Sequence, residues 1–227
     1  MERNEIGLRA MCGEAFRKNI VPGVIIQAFA LSILGAYYFL PDARWCFEAV
    51  GAWKREGGLW FSSISTALFA GAIPFGVMLF LKRIPRGAAL SHGIFFICHW
   101  AVQGVLVDLL YTWQGVWFGH GNDVATLAKK VAMDQGPFNL ILFTNLNMLF
   151  YLWKEKGFSW RAVWGVLDRR SYFIRYIKVQ IACWTVWIPA VTIIYSLPAE
   201  LQVPMFNLVL CFYTLVLAVL TSEGARA

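Results

Sequence analysis

Apolar residues occur in this chain as long continuous runs, with the charged residues gathered between them. Runs of this kind fall at about residues 20–40, 61–81, 92–118, 137–153, 179–197 and 203–221. Each approaches the ~20 apolar residues that a helix needs to cross a hydrocarbon layer ~30 Å thick. They lack the ~10-residue alternation of a membrane barrel strand. A lone apolar segment in lipid satisfies its own backbone N–H and C=O groups only as a helix. The expected fold is all-α, a polytopic transmembrane helical bundle of about six spans, with residues 1–227 forming a single integral membrane domain.

Prolines mark irregularities within the runs. Pro74 interrupts the second segment, and Pro189 lies inside the fifth, which ends at Pro198. Proline removes a backbone donor and kinks a helix, a defect that neighbouring helices in a membrane can repair. The link 198–202 is short, so the last two segments should form an antiparallel hairpin. The longest polar connection, 154–178, is itself interrupted by Phe158, Trp160, Trp164 and Tyr172, leaving nothing for a separate soluble domain.

Composition agrees with a bilayer as solvent. Hydrophobic residues make up 59% and charged residues 15%, with a mean hydropathy of +0.59, against ~25% charged in an ordinary soluble domain. Residues 1–18 lack the apolar core and cleavage site of a secretory signal, so the first apolar segment is read as retained. Cys12, Cys46, Cys98, Cys183 and Cys211 are scattered without a C-x-x-C pair, which argues against a zinc or redox motif and suits small buried hydrophobes.

Charge suggests an orientation. With six spans, the N-terminus, the 82–86 loop, the 154–178 loop and the C-terminus carry about fifteen of the 20 Lys and Arg residues. The positive-inside rule then places both termini on the cytoplasmic or matrix side. Were segment five, with Pro189 and Gln180, only interfacial, the count would be five and the last loop would change sides. Arg169, Arg170, Arg175 and Lys178 lie near a segment boundary. Contact with anionic lipid headgroups accounts for them more simply than nucleic-acid binding, which needs a basic face in the aqueous phase.

Ionisable and amide groups within apolar segments are the default pointers to function. In segment three, Gly104, Asp108 and Tyr111 share one helical face, with His92, His99 and Gln103 opposite, so both stripes can face protein. Asp108 either lines a solute or ion path, or is a structural acid bonded to Tyr111 or to a basic or amide group on another helix. Segment four opens with Asp134, Gln135 and Pro137, followed by Asn139, Asn145 and Asn147. Asp134 there suits an N-terminal cap, and the asparagines suit interhelical hydrogen bonds. Gln180, Trp184, Trp187, Val191 and Tyr195 form a face of segment five, and Asn207, Cys211 and Thr214 one of segment six, both read as helix contacts.

The chain has no H-E-x-x-H, G-x-S-x-G or G-x-x-x-x-G-K-[ST] pattern, and His92 with His99 on one helix cannot clamp both faces of a haem. No catalytic residue, cofactor or metal is expected, and the sequence points away from an enzyme.

From about Ser62 to Ser222 the chain resembles the twenty-two-kilodalton peroxisomal membrane protein family, which includes a mitochondrial inner-membrane protein linked to mitochondrial DNA maintenance. Lys130-Val131-Ala132-Met133-Asp134-Gln135 with a following proline is similar to that family's lysine, three residues, Asp-Gln and downstream proline. Trp184-Thr185-Val186-Trp187-Ile188-Pro189, continuing through Tyr195, Pro198, Leu201 and Asn207 to a Leu217–Ser222 tail, resembles its C-terminal stretch, and Gly104 to Tyr111 resembles a third motif. The chain departs from the pattern with Asp108 in place of a histidine, Ile188 splitting a Trp-Pro pair, Gln202 in place of an arginine and Tyr213 in place of a tryptophan.

The resemblance implies a mitochondrial inner, peroxisomal or bacterial inner membrane, usually four predicted spans, and a weakly selective channel for metabolites or ions. It raises Asp134 and Gln135 above a capping role and weakens any transfer of role to Asp108. The expectation is a small pore or solute path, with Asp108, Tyr111, His99, Gln103, Asp134, Gln135 and Asn139 at the polar interior and Trp184, Trp187, Pro189 and Pro198 as structural motif. The bilayer is the expected partner, small solutes or ions and a second copy of the chain are admissible ones, and nucleic acid is not. The alternative is a non-transport scaffold that binds proteins or lipids through the basic 154–178 connection.

Overall fold

The structure, a computed structural model, describes the backbone of residues 2–223 and most side chains between 13 and 216; Cys12 and the side chains of Leu217 to Ser222 lie outside the described residues. The fold is all-α, with no strand among the described residues. Its helices are α1 (Glu2–Phe39), α2 (Arg44–Thr66), α3 (Ile73–Phe80), α4 (Ala89–Phe118), α5 (Val124–Met133), α6 (Thr144–Glu155), α7 (Trp160–Val166), α8 (Arg169–Tyr195) and α9 (Ala199–Glu223). Two π-helical segments, Ala67–Ala72 and Asp134–Phe143, join α2 to α3 and α5 to α6.

Among the described residues 5 helical stretches are long and apolar enough to cross a membrane by length and composition: Asn19–Phe39, Pro41–Phe80, Ala89–Phe118, Arg169–Tyr195 and Ala199–Val216. The fifth expected segment is thus a continuous 27-residue helix through Pro189. The expected segment at 137–153 is helical but divided between the second π-helical segment and α6. Gly136 there has φ −87° and ψ −109°, outside the helical range, and Pro137 follows without a donor.

Two compact units make up the chain. The first comprises Met1–Ile25 and Val131–Pro189, the second Ile26–Lys130 and Ala190–Ala227. In the second unit α2 and the π-helical turn after it pack on α4 and α9. Gly104 of α4 makes this approach possible, because a Cβ there would collide with the Ser62 carbonyl and with the Thr66 side chain. Polar groups point inward, with Ser62, Thr66, Gln103, Asp108, Gln114 and Asn207 buried, while Trp60 is 77% exposed, Phe80 85% and Val116 77%. Large apolar side chains outside and polar ones inside invert the pattern of a water-soluble domain and suit lipid, which solvates leucine and phenylalanine at no cost. The chain is an integral membrane protein in architecture.

Residues 44–57, which lie between the first two apolar runs, are helical as well. Gly58, with φ 51° and ψ −130°, breaks the run between this half and the apolar half that follows. A side chain would be strained at that φ, which explains the glycine.

In the first unit, α6 and α7 pack together through an aromatic cluster in which Trp153 stacks on Trp160 at 5.6 Å and meets Phe158 edge-on at 4.9 Å. Ser159 caps α7, its hydroxyl accepting from the Ala162 N–H at 3.3 Å. The polar 154–178 connection is therefore largely helical. Arg169, Arg170, Arg175 and Lys178 belong to the opening turns of α8, where all four are exposed.

Candidate functional site

In the second unit Asp108 sits on the buried face of α4. Its Oδ2 accepts from Lys54 Nζ at 2.9 Å and from Ser62 Oγ at 2.7 Å. Both side chains of the ion pair are shielded, at 13% and 7% exposure. This is the arrangement of a structural acid tied to a base on another helix. The Tyr111 ring packs edge-on against Tyr195 at 5.0 Å. His99 stacks on Phe95 at 5.3 Å and lies 3.5 Å from the Gln103 amide, so the second polar stripe of α4 is also internal. Thr66 donates to Asn207 Oδ1 at 2.7 Å, and Asn207 donates to Ser65 Oγ at 2.9 Å, joining α2 to α9.

Two further buried groups of this unit are Gln114, which the sequence reading passes over, and Lys130 of the 130–135 motif. Gln114 is fully buried, and neither its Oε1 nor its Nε2 has a hydrogen-bond partner. Lys130 is 2% exposed, its ammonium 5.9 Å from the centre of the Tyr195 ring. Gln114 lies one turn beyond Tyr111 on the face that α4 buries, so periodicity alone could have flagged it.

The first unit contains a connected polar network within a broken helix. Gln135 Nε2 donates to Asp134 Oδ1 at 2.9 Å, and Asn139 Nδ2 donates to Gln135 Oε1 at 3.1 Å and approaches Cys183 Sγ at 3.2 Å. Thr144 Oγ1 lies 2.7 Å from Asn139 Oδ1 and 2.7 Å from Gln180 Oε1. All five of Asp134, Gln135, Asn139, Thr144 and Gln180 are buried.

A π-helical turn leaves backbone carbonyls without their regular partners. Here α8 supplies them from one face at four-residue spacing. Tyr176 donates to the Leu140 carbonyl at 2.8 Å, and Trp184 Nε1 to the Gln135 carbonyl at 2.9 Å. Tyr172 bonds Asn145 Oδ1 at 2.7 Å, while the Asn145 amide in turn reaches the Leu140 and Ile141 carbonyls. With Gln180 these residues form the series 172, 176, 180, 184, of which sequence reasoning found only the second half.

The structure thus brings Asp134, Gln135, Asn139 and Trp184 together, and places Asp108, Tyr111, His99 and Gln103 in the other unit. Trp187 is half-buried, Pro189 is internal to α8, and the Pro198 carbonyl accepts from the Leu201 N–H at the start of α9. Among the described residues no group of His, Cys, Asp and Glu is arranged to hold a metal ion. Comparison with models of protein families, with curated proteins and with solved structures gives no match to this chain.

Proposed function

We propose that this membrane protein provides a path for a small solute or ion, with its polar centre at the broken helix of Asp134–Phe143. The observation that supports this reading most directly is the π-helical interruption, whose buried carboxylate and two amides form one hydrogen-bonded chain with the Thr144 hydroxyl that follows it. Irregular backbone at membrane depth is tolerated where it lies within protein or lines a cavity, and broken helices with exposed polar groups are the usual substrate sites of membrane transporters. π-Helical turns themselves concentrate at functional positions. The resemblance of residues 130–137 to a family of proposed channels supports the same place, and no catalytic step is assigned to it.

The test is conductance and solute flux with purified protein in planar bilayers and proteoliposomes, comparing the natural chain with Asp134→Asn. Protein-dependent flux that changes its ion preference in the variant supports the path. Its absence in the natural chain removes it.

A scaffold without transport is the second reading, favoured by one observation: Asp108, the acid deepest in the apolar sequence of α4, is closed off by Lys54 and Ser62. The exposed Arg169, Arg170, Arg175 and Lys178 would then hold anionic lipid or a partner. Loss of vesicle binding or of crosslinked partners on neutralising these residues, with no flux in the natural chain, supports the scaffold.

A further inference from the structure

The hydrogen-bond chain in the first unit has a direction, and its end is open. A carboxylate only accepts, so the Gln135 atom facing Asp134 at 2.9 Å is the amide nitrogen, and its carbonyl faces away. That carbonyl accepts from the Asn139 amide at 3.1 Å, which turns Asn139 Oδ1 toward Thr144. The Thr144 hydroxyl carries one proton. It gives this proton to Asn139 Oδ1 at 2.7 Å, so it has none for the Gln180 atom that also lies 2.7 Å away.

Two acceptors at that separation without a proton repel. The contact becomes a hydrogen bond when the Gln180 amide is turned so that its nitrogen faces Thr144, a change that leaves the shape of the side chain unaltered. The chain then runs as donors from Gln180 through Thr144, Asn139 and Gln135 to Asp134. The other terminal atom of Gln180 has no partner within the protein, and in this orientation it is the carbonyl oxygen. Gln180 is only 3% exposed, so that oxygen is an orphaned acceptor inside the protein. Successive bonds ending on an anion polarise one another and make the far carbonyl a better acceptor.

We infer that Gln180 is a solute-contact residue whose carbonyl selects small cations bearing N–H donors, of the guanidinium or ammonium type, over cations of similar size without them. This rests on the solute-path reading and adds the chemistry of what is selected. Charge alone does not satisfy the orphan acceptor; a donor does.

Guanidinium and tetramethylammonium are the probes, because both are permanently charged and only the first has N–H groups. Uptake of each into proteoliposomes is measured for the natural chain, Gln180→Leu and Gln180→Glu, with acetate and glycerol as control solutes. A hydrogen bond to a charged donor corresponds to a preference of about tenfold or more for guanidinium. The natural chain should show it, Gln180→Glu should keep it, and Gln180→Leu should bring the ratio close to unity. Size-exclusion profile and helical circular dichroism establish that each variant is folded. If Gln180→Leu does not fold, competition between the two cations for binding to the natural chain in detergent decides the matter.

Equal uptake of both cations by the natural chain, or an unchanged ratio in folded Gln180→Leu, overturns the inference while leaving transport intact. Passage of none of the four solutes overturns the path itself, and the inference with it.

Discussion

Lys54 and Asp108 form a 2.9 Å ion pair across a 54-residue separation, with both side chains largely shielded. The contact joins the helical half before the Gly58 break to the inward face of α4. Removing one partner leaves the other charge uncompensated, which in a buried pair costs about 3–5 kcal/mol, whereas replacing both with apolar residues is often neutral. Lys54→Met and Asp108→Leu should each lower the unfolding midpoint in detergent strongly, and the double variant should recover most of the loss. Equal or additive losses in the double variant would show that the pair is not the unit of stabilisation.

Gly104 and Gly76 offer a matched comparison. A methyl group at Gly104 meets the Ser62 carbonyl and the Thr66 side chain on the neighbouring helix, while at Gly76 nothing lies within 4 Å. Forcing a packed helix pair apart costs about 1–3 kcal/mol, whereas alanine has a better helix propensity than glycine by about 1 kcal/mol. Gly104→Ala should therefore lower the thermal midpoint and Gly76→Ala leave it unchanged or raise it. The same response at both positions would refute the close approach of α2 and α4.

Long apolar runs were directly legible because the bilayer imposes both their length and their helical form, and 5 of them are matched by long apolar helices. The division of the 137–153 segment is not legible in the sequence: Gly136 and Pro137 read as the opening of a helix, whereas they lie within a π-helical segment in which Gly136 departs from helical dihedrals. Lys54 is not legible as a partner because it lies before Gly58, in a stretch too polar to register as an apolar run. Pairings such as Tyr176 with the Leu140 carbonyl depend on the rotation of one helix against another, which a single periodic pattern does not specify. Asp134 and Gln135 stand out from a capping role through the family resemblance, and Asn139 because polar groups inside an apolar segment are costly; all three are buried and hydrogen-bonded.

Asp168 offers a pH-dependent test at the start of α8. Its carboxylate accepts from the Ser171 backbone N–H at 2.9 Å, and this bond, reinforced by the Ser171 hydroxyl, holds its pKa below the ordinary value. A lowered folded-state pKa means that the cap contributes fully above the unfolded value of about 3.9 and loses its contribution as pH falls through the folded value. Amide-exchange protection in the first turn of α8 should therefore drop below about pH 4 in the natural chain. Asp168→Asn, which keeps an acceptor but does not titrate, should abolish that drop. A drop that persists in the variant would assign the effect to another group.

Gln114 and Gln103 are both buried amides on α4, 2% or less exposed, but they differ in what they meet. Gln103 touches the His99 ring at 3.5 Å, whereas both terminal atoms of Gln114 lack a hydrogen-bond partner. A buried polar group left unsatisfied carries a desolvation penalty of about 1–3 kcal/mol, while a typical satisfied bond contributes about 0.5–1.5 kcal/mol. Gln114→Leu has nearly the same volume and removes the penalty, so it should raise the thermal midpoint. Gln103→Leu gives up the His99 contact, so its midpoint should fall below that of Gln114→Leu. The pair is best measured side by side by thermal unfolding in one detergent, since the difference between the two is what is at issue. A fall in stability for Gln114→Leu would mean that a group bound from solution, water or solute, occupies that amide in the folded protein.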